Sequence, residues 1–240
     1  MQRYVLMPCR PTFVTKNLYG NFAHQRFLPN FVAMNTQENQ KIKWSECTII
    51  ADADYVDKVA FNLIVNFERM LGRRIPPADF SQWVVDVALD GRLKPGDHQT
   101  QVVLLHGKHE VKLTNFAPAD YQRELNGQAF RHEALGEFVI NTIPTDQSVA
   151  RKDEVILDLL HLLLTNPTAH RILIVGNFEE GTLYNDLRQA LQKVDDEEKH
   201  ITLFTMQPGM PNGNFRQELL GYSLMNAMGI TQAEIDNKMK

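Results

Sequence analysis

Cysteine is scarce: 240 residues contain only Cys9 and Cys47, with no CxxC spacing and no adjoining histidine pair. This argues against a disulfide scaffold or a thiolate zinc site and leaves each thiol as a buried or incidental side chain. Long apolar runs are absent too. The longest, such as Ile172-Leu173-Ile174-Val175, are strand-sized, well short of the ~20 residues that cross a bilayer. The apolar start, Tyr4-Val5-Leu6-Met7, is cut short by Pro8, Arg10 and Pro11, too early for a signal peptide. A cytoplasmic protein without membrane contact is therefore expected. Neither sign of charge dominates, with 25 Lys+Arg against 29 Asp+Glu and a net −4, which disfavours indiscriminate binding to nucleic acid. Repeats, low-complexity tracts and the motifs GxxxxGK[ST], GxGxxG, GxSxG and HExxH are missing, which removes the best-defined nucleotide, hydrolase and zinc-protease readings. His106, His109 and His132 lack metal-type spacing.

What is present is unevenly distributed. Residues 1–50 carry six bases against two acids, or +4, which leaves −8 for the rest, and they hold seven of the 21 aromatics. Their Pro, Asn and Gln content predicts short strands, over 4–7 and 31–34, separated by loops. We therefore divide the chain into a basic, aromatic extension packed on the core, residues 1–46, and a larger domain, residues 47–240.

From Cys47 onward, apolar strands alternate with amphipathic helices. Strands are expected at 47–51, 101–105, 137–143, 171–175 and 201–206. The first helix carries Val56, Val59, Ala60, Leu63, Ile64, Phe67, Met70 and Leu71 at three-four spacing and stops at Gly72. Further helices are expected from Pro76-Pro77, within 118–130, and over 152–164, 182–194 and 215–228, with Thr231-Gln232-Ala233-Glu234 spaced as a capping box for a last one. Strands separated by whole helices favour parallel crossovers over hairpins, so the fold class is three-layer α/β/α with a mostly parallel central sheet. The helix over 215–228 is apolar on more than one stripe and rich in Met, which suggests cover on two sides, one of them a second copy in a homodimer.

In such folds ligands bind where the C-terminal ends of the strands line up. That edge would receive Asp52, Asp54 and Asp57, then His106 and Lys108, Thr145 and Asp146, Asn177, Glu179 and Glu180, and finally Gln207, Asn212 and Asn214. Converging carboxylates need protonation or a hard cation such as Mg²⁺ or Mn²⁺, which could activate water for an in-line phosphoryl displacement. Most of these acids also have a structural explanation. Asp54 with Asp57, Asp153 with Glu154, and Glu179 with Glu180 all stand at helix starts, where caps and the macrodipole favour them. Asp52 directly follows a strand and would point into the edge cleft.

Three segments carry a resemblance. Thr48-Ile49-Ile50-Ala51-Asp52-Ala53-Asp54, then Arg151-Lys152-Asp153-Glu154-Val155 with Asp158, then Ile172-Leu173-Ile174-Val175-Gly176-Asn177-Phe178-Glu179-Glu180 resemble, in order, the acidic elements of the NYN branch of the PIN-like nucleases. Residues 47–206 are covered. Asn177, Glu179 and Glu180 stand where that family has paired aspartates, and its Asn shortly after the first Asp is absent. The whole chain also resembles an uncharacterised bacterial protein family to which no activity is attached.

The PIN-like resemblance implies a metal-dependent RNA phosphodiesterase. Asp52, Asp54, Asp153 and Glu179 would be ligands to Mg²⁺ or Mn²⁺, and Asp52 and Glu180 would be the catalytic pair, Glu180 as base. Residues 1–50 would supply phosphate contacts and stacking surfaces for RNA. Two alternatives stay open: a catalytically inactive PIN-like domain that binds RNA or protein, and a small-ligand-binding α/β protein.

Overall fold

The computed structural model describes residues 7–8, 43–192, 194, 198–207 and 214–238. The strand expected over 31–34, all but Met7 of that over 4–7, Cys9, Asn212 and the acidic residues 195–197 lie outside the described residues. In chain order the elements are β1 (Met7–Pro8), β2 (Cys47–Asp52), α1 (Ala53–Leu71), β3 (Ala78–Asp79), α2 (Phe80–Asp90), β4 (His98–Gly107) and β5 (Phe116–Ala117). A single π-helical turn, Tyr121–Leu125, leads to β6 (Gln128–His132) and β7 (Gly136–Thr145). Then come α3 (Lys152–Thr165), β8 (Arg171–Val175), α4 (Leu183–Leu191), β9 (His200–Thr205), β10 (Arg216–Leu219), α5 (Leu220–Ala227) and α6 (Gln232–Lys238).

One eight-stranded sheet runs β1-β6-β7-β4-β2-β8-β9-β10. The six strands from β7 to β10 are mutually parallel. β2 lies in the middle and is buried on both faces, which is why Cys47-Thr48-Ile49-Ile50-Ala51 is almost continuously apolar rather than alternating. On one face Ile49, Ala51, Val102, Leu104 and Leu173 pack with Val56 and Ala60 of α1, Trp83 and Val84 of α2, and Leu224 of α5. On the other, Ile50, Val103, Ile172, Ile174 and Leu203 meet Ile156 and Leu160 of α3 and Leu183 and Leu187 of α4. The fold is three-layer α/β/α around a mostly parallel sheet.

One expected helix is replaced and another is shortened by a strand. Instead of a helix within 118–130 there is the π-helical turn and then β6, antiparallel to β7. Only Glu133, Ala134 and Leu135 separate these two strands, a loop that allows nothing but a hairpin. Gly136 enters β7 at φ +84, against the His98 backbone, where a side chain would collide. The helix expected from 215 begins at Leu220, because Arg216–Leu219 extends beside β9 as the edge strand β10. Leu220, Leu224 and Ala227 of α5 are buried by their own chain, and Tyr222 is 63% exposed. α2 begins three residues after Pro77, capped by Asp79, which accepts from the Gln82 amide at 3.0 Å. α6 has the expected capping box: Glu234 N donates to Thr231 Oγ1 at 3.3 Å and Thr231 N to Glu234 Oε2 at 3.1 Å. Cys47 is buried and free, its pKa pushed up to about 12 by that burial, so it is an inert thiol.

Asp90 ends α2, where the helix dipole disfavours an anion. Burial, then Asp86 and Glu218, push its pKa from 3.8 up to about 6. The folded chain thus keeps this proton to a higher pH than the unfolded chain, and stability falls as pH rises between those values. Asp90→Asn is expected to raise the melting temperature at pH 8 and to leave it unchanged at pH 4, measured by thermal unfolding at both. An equal shift at the two pH values would contradict this.

Candidate functional site

The strand order reverses at β2, with β4 on one side and β8 on the other, so the cleft above its C-terminal end is the topological switch point of the sheet. Pairing with β8 ends at Ala51–Val175, while pairing with β4 continues to Asp52–Leu105. Asp52 therefore stands alone above β8, and it is only 7% exposed.

Asp52 is the N-cap of α1: its Oδ1 accepts from the amides of Asp54 and Tyr55, each at 3.1 Å. The same oxygen accepts from Lys152 Nζ at 2.5 Å, and Lys152 reaches on to Asp54 Oδ2 at 2.8 Å. Asp54 Oδ2 also accepts from the Gly107 amide at the end of β4, at 2.9 Å. One ammonium thus bridges two carboxylates and ties α1, α3 and β4 together. Burial opposes the charge on Lys152, but Asp52 and Asp54 outweigh it and hold the ammonium's pKa above the ordinary lysine value.

The remaining acids are engaged within the fold. Glu179 accepts from the Tyr55 hydroxyl at 2.9 Å and from the Met206 amide at 2.8 Å, joining the β8–α4 loop to α1 and to the end of β9. Burial, and then Glu179, keep the Tyr55 hydroxyl protonated. Glu180 turns to the Asn177 side chain at 3.0 Å. Asp153 is half-buried beside this cluster: desolvation raises its pKa, with Asp52 and Asp186 adding to the rise and Arg151 and Lys152 opposing it. Glu154 accepts from the Arg151 amide at 3.0 Å as a helix-start residue. Asp57 accepts from the Asn115 amide at 2.8 Å and pins the β4–β5 loop.

Asp52 and Asp54 are therefore brought together on one ammonium, whereas Glu179 and Glu180 are drawn into other bonds. The residues as arranged do not fit a divalent cation, because Lys152 Nζ stands between the two carboxylates that would hold it. Among the described residues no group of three or more His, Cys, Asp or Glu is disposed to hold a metal ion.

The decisive side chain, Lys152, was not among the candidates from sequence, although it left a signal there. It is the first residue of α3, and a cation in a helix's first turn is disfavoured unless something compensates it. His106 is a second case. It is 3% exposed, stacks on Tyr121 with centroids 4.0 Å apart, and places Nδ1 at 2.9 Å from the Gly107 carbonyl, while Nε2 has no hydrogen-bond partner. Burial lowers its pKa and keeps the ring neutral. Thr145 Oγ1 donates to the His106 carbonyl at 2.9 Å, and Asp146, held at a pKa of about 2 by Ser148 and then Lys108, sits in the loop beyond.

Fold and edge together define an α/β/α protein that carries a carboxylate–ammonium cluster at its switch point. The chain belongs to DUF6621, a family of unknown function, which matches residues 41–235. No curated protein and no solved structure matches it. No helix among the described residues is long and apolar enough to cross a membrane.

Proposed function

We propose that this protein is a catalytically inactive PIN-like domain that works by binding, with single-stranded RNA the ligand its sequence favours. The observation that carries the inactive reading is the bridge from Lys152 to Asp52 and Asp54 at 2.5 and 2.8 Å. A built-in cation neutralises the acids that would otherwise need Mg²⁺ or Mn²⁺, and the cluster serves as a clasp between strand ends. The choice of RNA rests on the +4 charge and seven aromatics of residues 1–50, set beside a body at −8 that repels phosphates.

The metal-dependent phosphodiesterase is the second reading, favoured by the charge of Asp52 acting on Asp153. It requires Lys152 to withdraw before Asp52, Asp54, Asp153 and Glu179 could act as ligands. The two readings separate in one experiment, in which labelled single-stranded RNA is incubated with the full chain and Mn²⁺, and binding and cleavage are followed together. Salt-sensitive binding is expected, with no cleavage beyond that of Asp52→Asn. Mn²⁺-dependent cleavage abolished by Asp52→Asn would establish the nuclease instead.

A further inference from the structure

The sheet face that carries α3 and α4 is wider than those two helices. Along β4 the side chains of Gln101, Val103 and Leu105 share this face, and the register sets Val139, Asn141 and Ile143 of β7 beside them, with Ala129 of β6 next to Val139. Val103, Leu105 and Ile143 join the core under α3 and α4. Val139 and Ala129 do not. Each is only 7% exposed, yet neither belongs to the apolar core on either face, so the helices among the described residues leave their burial unexplained.

Two polar side chains are the second, independent observation. Gln101, 5% exposed, and Asn141, 2% exposed, share one bond, from Gln101 Nε2 to Asn141 Oδ1 at 3.5 Å. Gln101 Oε1 is left as a buried acceptor and Asn141 Nδ2 as a buried donor, each without a partner among the described residues. Buried groups in that state cost free energy unless something meets them. An acceptor and a donor side by side are the complement of a peptide group, which offers one N–H and one C=O. Small apolar side chains around such a pair fit a polypeptide that carries large apolar side chains between its amides.

The chain itself supplies one. β1 places Pro8 at the outer edge of the sheet, beside β6. The described chain resumes at Lys43 and leads to Trp44, which is buried in the core on the α3 side and whose carbonyl accepts from Thr168 Oγ1 at 3.0 Å. β1 and β2 are four strand spacings apart, about 19 Å. About six extended residues cross that gap, and the whole of 9–42 is available, with Phe13, Tyr19, Phe22, Phe27 and Phe31 and eight Asn and Gln among them. We infer that residues 9–42 dock on this face of their own sheet, with aromatic side chains on Val139 and Ala129 and amide groups meeting Gln101 Oε1 and Asn141 Nδ2. This docking does not depend on whether the chain binds RNA, and RNA is left out of its test.

Photo-cross-linking of the full chain tests the docking. Glu137, half-buried and two residues before Val139 on the same face, is replaced by the photoreactive p-benzoylphenylalanine. A mixture of ordinary and isotope-labelled chains is illuminated, and the linked peptides are read by mass spectrometry. Cross-links from position 137 to residues 9–42 of the same chain are expected. Val139→Lys sets a charge under the cover and should lower their yield about tenfold, while β2 and β8 keep the amide protection that shows the variant is folded. Should Val139→Lys not fold, Ala129→Lys, nearer the sheet edge, probes the same contact. The inference is overturned if the cross-links run between chains, which would assign the face to a second copy, if none reaches 9–42, or if the folded lysine variant gives an undiminished yield.

Discussion

Lys152→Met is expected to destabilise the protein by about 3 kcal/mol, because removing one member of a buried ion pair leaves its partners charged and desolvated. Here the partners are two: Asp52, almost wholly buried, and Asp54, about one-third exposed, both on a single ammonium. Urea denaturation reads the loss. Adding Asp52→Asn and Asp54→Asn to Lys152→Met should recover much of it, since the penalty is the uncompensated charge and not the missing stem of the lysine. Mn²⁺ gives an independent readout: it should raise the melting temperature of Lys152→Met, whose two carboxylates then lack a cation, and leave that of the unaltered chain where it is. A Lys152→Met variant as stable as the parent would show that the bridge contributes nothing.

The second large effect is expected at the other end of α3. Lys199 is 9% exposed, and its Nζ donates to three backbone carbonyls, Leu163 at 3.2 Å, Asn166 at 2.5 Å and Ala169 at 2.5 Å. Leu163 lies in the last turn of α3, and Asn166 and Ala169 in the connection to β8. The ammonium thus completes the C-terminal end of a helix, where unsatisfied carbonyls collect and the dipole favours a cation. Burial lowers the Lys199 pKa, and the three carbonyls answer that cost with hydrogen bonds. Lys199→Met keeps the length of the stem and removes every donor, so a loss of about 2–3 kcal/mol is expected. Hydrogen exchange should show it first at the end of α3 and the start of β8. Uniform protection there, equal to that of the unaltered chain, would contradict the assignment.

These two lysines show where a sequence stops being informative. Neither belongs to a motif, and each acts through residues far away in the chain: Lys152 on Asp52 and Asp54, Lys199 on carbonyls some thirty positions earlier. The candidate acids of the edge were legible, because a strand that ends in Asp before an amphipathic helix places that Asp on the C-terminal rim. What each acid does there was not. Asp52 caps its own helix, Glu179 holds Tyr55 and the Met206 amide, and Asp57 fixes Asn115, all choices made by neighbours that sequence order does not reveal. The stretch before β7 is a plainer case still. A helix is expected within 118–130, yet one π-helical turn takes 121–125 and the hairpin partner β7 draws residues from 128 onward into extended pairing.

The sequence by itself determined the layers. Five apolar segments separated by amphipathic helices can bury their faces only as a mostly parallel sheet covered on both sides, and the scarcity of cysteine, long apolar runs and charge excess removed the other classes. Only the tertiary structure decided what stands at the switch point. Periodicity reports which face of an element avoids water, whereas the fate of a carboxylate depends on which cation the fold brings within about 3 Å of it, through contacts whose energy falls off with distance in space and not in sequence.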